Sequence, residues 1–186
     1  MRFRPWLFFL LVVGCTPKPQ AEPAGGGPTL DREQAVKALK AQAREVGKAA
    51  VDADHDAMAK LTHPALVDKF GGREAYIKKL DSVASEMKSQ GFRLKTFTVG
   101  EPSELVRAGG RTYAVVPTEV RLAGPGGAEG RQPSYLVAAS SDGGAHWQFV
   151  DGSGVGGDRG KLKSLFPEFP DRLQLPAPEP AAWNKK

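Results

Sequence analysis

Residues 73–99 read REAYIKKLDSVASEMKSQGFRLKTFTV, and the hydrophobic period changes inside this stretch. Ile77, Leu80, Ala84 and Met87 return at steps of three and four residues, which places them on one face of an α-helix. Gly91 stands just past the last of them, where a helix end favours glycine. From Phe92 to Val99 the period drops to two, as in a half-buried strand.

Toward the N-terminus the helical pattern continues. Residues 31–53 predict a helix with Val36, Leu39, Ala43, Val46 and Ala50 on its apolar stripe. Asp31 can cap it, and Gln34 is placed for a reciprocal capping contact. Asp56 can cap a short second helix through Leu61, which His63-Pro64 should end. Gly71-Gly72 then makes a turn before the third.

Toward the C-terminus strands repeat. Residues 104–107, 112–122, 134–140 and 147–151 join 92–99 as candidates. Gly109-Gly110, residues 124–130 and Asp142-Gly143-Gly144 supply the turns. Pro117 requires a bulge or an edge position. Residues 162–166 can form a helical turn, after which Phe166, Phe169 and Leu173 should strap onto the domain. Residues 176–186 read as a mobile tail with Trp183 solvated. Helices followed by an antiparallel meander predict an α+β fold of three N-terminal helices on a sheet of about five strands.

The first thirty residues follow other rules. Arg2 and Arg4 precede an apolar run at residues 6–13. Eight residues suit the core of a signal peptide, whereas a membrane span needs about 20. The run ends in Val12-Val13-Gly14-Cys15, and Cys15 is the only cysteine of the chain, so an internal disulfide is excluded. That ending resembles the bacterial lipobox, although Val13 is less typical there than Ala or Ser. The alternative is an ordinary secretory leader, or an uncleaved anchor, with an incidental cysteine. The resemblance implies a lipid thioether on Cys15, loss of residues 1–14 and attachment to a membrane of the bacterial cell envelope. Two or three acyl chains hold a protein firmly where one does not. Thr16, in place of the Asp that marks inner-membrane retention in Gram-negative lipoproteins, implies the outer membrane facing the periplasm. Residues 15–29 hold four prolines and three consecutive glycines, a composition that reads as a tether. Residues 30–175 are then the folded domain.

Composition narrows the functional classes. Hydrophobic residues make up 40% and charged residues 25% of the chain, as in a globular protein. Loss of Arg2 and Arg4 with a cleaved leader would lower the formal charge from +5 to +3. Lysines and arginines are dispersed among acids, which argues against a nucleic-acid partner.

The order of elements over about residues 31–151 resembles the NTF2-like superfamily, in which a bent sheet wraps helices into a cone. Asp54-x-Asp56, Leu61-Thr62-His63-Pro64 and Gly71-Gly72 lie where that fold turns between helices. A cystatin-like α+β fold with one helix is the alternative. The cone implies an interior pocket, for which His63, Tyr76, Asp81, Tyr113 and Tyr135 are the polar candidates. None matches a catalytic pattern residue by residue.

Three further motifs invite chemistry. Gly152-x-Gly154-x-x-Gly157 has dinucleotide-binding spacing, but only a short helix and no closing strand follow. The same loop fails as a P-loop at Val155 and Leu162. Ser140, Asp142, Gly144 and Trp147 resemble the Asp-box, a structural hairpin, with His146 where Ser or Thr is commoner. His55 among Asp52, Asp54 and Asp56 lacks a second histidine at ligand spacing, so no metal and no cofactor are expected.

Three functions fit these features. A lipid-anchored domain could bind a small ligand or an envelope protein without catalysis. It could be an isomerase- or dehydratase-like enzyme working in the cone. It could be a structural module of an envelope assembly, and the sheet offers a face for a homodimer.

Overall fold

A computed structural model describes residues 31–177 and 179–184. Four helices come first: α1 (Arg32–Asp52), α2 (His55–Leu61), α3 (Pro64–Lys69) and α4 (Arg73–Ser89). Strands β1 (Arg93–Val99), β2 (Val106–Ala108), β3 (Arg111–Ala123), β4 (Glu129–Ser140) and β5 (Gln148–Asp151) follow. The chain then forms α5 (Gly152–Val155), α6 (Arg159–Leu165) and β6 (Ala182–Asn184).

Side-chain caps set the helix boundaries. Asp31 Oδ1 accepts the Gln34 N–H at 2.8 Å, and Asp54 Oδ1 accepts that of Ala57 at 2.9 Å. Pro64 stops α2 as expected. It then opens α3 as the first helical residue, a position where the missing N–H breaks no helical bond. Gly72, before α4, has φ 98°, a value that favours glycine.

The sheet is antiparallel and strongly curled. β3 and β4 form a long hairpin running from Thr112↔Ser140 to Ala123↔Glu129. β1 and β2 lie along one side of it, β5 and β6 along the other. A register shift between Leu94 and Thr96 adds local twist to β1. Pro117 sits in the gap between β1 and β2. There the carbonyls of Pro117 and Val115 accept the N–H groups of Gly100 and Ser103, each at 2.8 Å. In that gap between two ladders proline lacks a donor that no ladder requires.

Both faces of the hairpin are covered. Ala35, Leu39 and Ala43 of α1 pack on Ala114, Val116, Leu136 and Ala138. Further along α1, a Cβ at Gly47 would overlap the Phe97 ring, so glycine permits the close approach of helix and strand. On the opposite face Val155, Leu162, Phe166, Phe169 and Leu173 cover Tyr113, Val115, Tyr135 and Val137. Residues 112–116 are therefore buried without alternation, as in strands covered on both sides.

Several expectations need correction. Four helices, not three, precede the sheet. Of these α1 lies along the sheet, while α2, α3 and α4 gather around Ala59, Val67 and Tyr76. The stripe Ile77, Leu80, Ala84 and Met87 is only half-buried, because α4 packs on helices rather than on a broad sheet face. Among the described residues the strands number six. The sixth belongs to residues 176–186, which were expected to be mobile: Ala182–Asn184 pairs with Glu129–Arg131. Trp183, expected to be solvated, is exposed, yet its ring lies tilted 5.4 Å from that of Phe92 and over Gly124 and Gly130. Two glycines at the β3–β4 turn, far from Trp183 in sequence, leave room for that ring. The glycine-rich stretch 152–157, read as a loop, begins with the turn of α5.

Candidate functional site

The Ser140–Trp147 loop is held by its own side chains. Ser140 Oγ accepts the Gly144 N–H at 2.9 Å and donates to Asp142 Oδ1 at 2.8 Å. Asp142 Oδ1 accepts the N–H groups of Ala145 and His146 at 3.1 and 3.0 Å. Burial pushes the Asp142 carboxyl up, but bonds from the His146 amide, the His146 ring and Ser140 outweigh this and hold it at about 2. Trp147 lies buried beneath the turn, its Nε1–H donating to the Gly144 carbonyl at 2.9 Å. Gln42 of α1 clasps the loop from the other side: Nε2 donates to the Ala145 carbonyl at 2.9 Å and Oε1 accepts the Trp147 N–H at 2.8 Å.

The five polar pocket candidates do not converge. His63 is buried, its Nδ1 accepting the Ala65 N–H at 3.2 Å and its ring meeting Phe166 edge-on at 4.5 Å. Burial, then the Arg111 charge, lower its pKa to about 4 against a smaller opposing pull from Asp68. Tyr113 meets the other side of Phe166, with ring centroids 5.7 Å apart, and its hydroxyl is buried without a hydrogen bond. Tyr135 lies over Gly152, and its hydroxyl also lacks an ordinary hydrogen bond. Burial raises the Tyr135 pKa, an effect that the nearby Gly157 amide eases. Tyr76 belongs to the helical cluster and accepts from Thr62 Oγ1 at 3.3 Å. Asp81 is mostly exposed and pairs with His55 Nδ1 at 2.5 Å, joining α4 to α2. Thus His63 and Tyr113 meet around one phenylalanine, while Tyr76 and Asp81 serve contacts between helices.

Two of the openings on the surface of the described residues bear on the site. The larger, about 270 Å3, lies between the first turn of α1 and the β2–β3 hairpin, where Arg32, Glu104, Leu105, Arg107, Thr112 and Gly143 line it. The smaller, about 120 Å3, lies beside Tyr135 and Gly152 under Pro176, Ala177 and Glu179. Sequence reading missed the larger groove because its residues come from four segments. It also missed Gln42, whose one signal is a polar side chain between Leu39 and Ala43 on a buried stripe.

No protein-family model matches the chain, and no curated protein matches it. Among the described residues no helix is long and apolar enough to cross a membrane, and no group of three or more His, Cys, Asp or Glu could hold a metal ion. Cys15 lies outside the described residues.

Proposed function

We propose that the chain is a bacterial lipoprotein, held to the cell envelope through a lipid on Cys15, whose domain binds a ligand or an envelope partner without catalysis. The position of Cys15 carries this function: the only thiol of the chain stands where an eight-residue apolar run stops. Residues 16–30 separate it from Asp31, where α1 is capped. Their Pro- and Gly-rich composition suits a spacer that lifts the domain off a lipid surface. Thr16 after the cysteine favours the outer membrane, with the domain facing the periplasm, in a Gram-negative cell.

An NTF2-like cone is compatible with the curled sheet and with α1 lying along one of its faces. In such a cone the inner face is packed with Ala35, Leu39, Ala43 and Trp147, so the accessible polar groups stand at its rim. Recognition at the rim fits that arrangement better than isomerase or dehydratase chemistry in the interior.

Metabolic labelling with a palmitate analogue tests the anchor. Wild-type protein should carry the label and Cys15→Ala should not. Equal labelling of the two would refute the anchor.

A further inference from the structure

We propose that the groove between α1 and the β2–β3 hairpin binds a phosphate group carried on a small organic molecule or a lipid. This names the ligand class for the binding function proposed above, and so rests on it. Arg32 of α1 and Arg107 of β2 both line the groove, and neither makes an ion pair among the described residues. Thr112 faces Arg107 across the β2–β3 ladder and lines the same groove. It is 7% exposed, and no side-chain bond claims its hydroxyl among the described residues. A hydroxyl at the groove wall can donate to an oxyanion or accept from a ligand.

Charge selects the ligand. Of the lining residues Glu104 carries a carboxylate, and Arg172 Nε lies 3.7 Å from it, which leaves the two groove arginines in excess. Each guanidinium presents a planar fork that can hold two oxygens of an oxyanion. Two forks and a hydroxyl offer more donors than a carboxylate with two oxygens can use, whereas a phosphate ester has three or four oxygens to fill them. Leu105 and Ala35 give the groove an apolar side against which the rest of an ester could lie. Its volume is slightly below the roughly 300–1,000 Å3 typical of small-molecule sites, so a headgroup fits it better than a large metabolite.

The groove also lies at the end of the domain from which the chain leads back to Cys15, since Arg32 follows the first described residue. A phosphate on a lipid headgroup and one on a soluble ester are therefore both within its chemistry, and the experiment separates them. Full-length protein in neutral detergent is titrated calorimetrically with glycerol 3-phosphate, with short-chain phosphatidylglycerol and with acetate.

Saturable binding of either phosphate compound is expected. Binding of the soluble ester identifies a soluble ligand, and binding of phosphatidylglycerol alone identifies a headgroup. Arg32→Gln and Arg107→Gln should each weaken it about tenfold or more, and Thr112→Val about fivefold. Arg107→Lys keeps the charge without the fork and should fall between wild type and Arg107→Gln. Arg131→Gln, which breaks an ion pair with Glu119 outside the groove, should leave binding unchanged. Near-ultraviolet circular dichroism verifies that each variant is folded. No binding of either phosphate compound, acetate bound as tightly as phosphate, or wild-type affinity in folded Arg107→Gln would overturn the proposal. Repeating the titration with Cys15→Ala separates the two hypotheses, because a lost lipid leaves the groove intact.

Discussion

The two faces of the β3–β4 hairpin are filled by opposite means. On the α1 face, regular helix meets regular strand through small residues: Ala35 and Ala43 on one side, Ala114 and Ala138 on the other, with Gly47 against Phe97. On the other face an irregular C-terminal segment closes the core with Phe166 and Phe169, and its backbone needs side-chain partners. Arg159 supplies them, donating to the carbonyls of Pro170 and Leu173 while lying 5.8 Å from the centre of the Phe169 ring. Regular elements approach closely and leave little polar surface to satisfy. Each face still holds a buried hydroxyl without an ordinary partner, Thr118 on the α1 side and Tyr113 and Tyr135 under the strap.

That contrast can be broken by mutation. Phe166 has no exposed surface and touches His63 and Tyr113, so Phe166→Ala should destabilise the fold by about 3–5 kcal/mol. Ala43→Leu, which overfills the α1 face, should cost about 1–3 kcal/mol. Urea unfolding of the two variants tests the ranking; a smaller loss for Phe166→Ala would mean that the strap merely rests on the sheet.

Acid sharpens the comparison further. The folded-state pKa of His63, about 4, lies below the ordinary 6.5, so the unfolded chain binds more protons between these values. Stability from neutral His63 is complete above about pH 6.5 and is lost as pH falls toward 4. The loss should be on the order of 3 kcal/mol, at about 1.4 kcal/mol per pKa unit. Asp142 on the α1 side acts lower, between its ordinary 3.8 and about 2. His63→Asn keeps a capping acceptor for α3 and should remove the limb between pH 6.5 and 4 from a stability–pH profile. An unchanged limb in that variant would assign it elsewhere.

The smallest effect concerns the trapped hydroxyls. Tyr113→Phe removes a buried donor that lacks a bond, so stability should stay level or rise by up to about 1 kcal/mol. A loss above that size, measured by thermal unfolding, would reveal a partner for the hydroxyl.

Much of the fold was legible because it depends on near neighbours. Asp31, with Gln34 three residues on, announced the start of α1, and the period change at Gly91 marked where helices give way to strands. Pro117 announced a break in the pairing on one side of its strand, which lies inside the sheet rather than at its edge, because proline lacks a donor wherever it stands. Phe166, Phe169 and Leu173 were recognisable as a strap, since large apolar residues between prolines must bury somewhere. The tail was misread because Trp183 is held by Gly124, Gly130 and Phe92, and no local pattern announces a distant glycine shelf.

By itself the sequence determined the passage from helices to an antiparallel meander, the Asp31 cap, the glycine turns, and the solitary cysteine at the end of an apolar run. These follow from contacts a few residues long or from composition. Only the tertiary structure decided that both sheet faces are covered, that His63 lies against Phe166, and that Arg32, Arg107 and Thr112 share one groove. Burial and charge proximity arise from packing between distant segments, and periodicity along a chain carries no record of which segments meet.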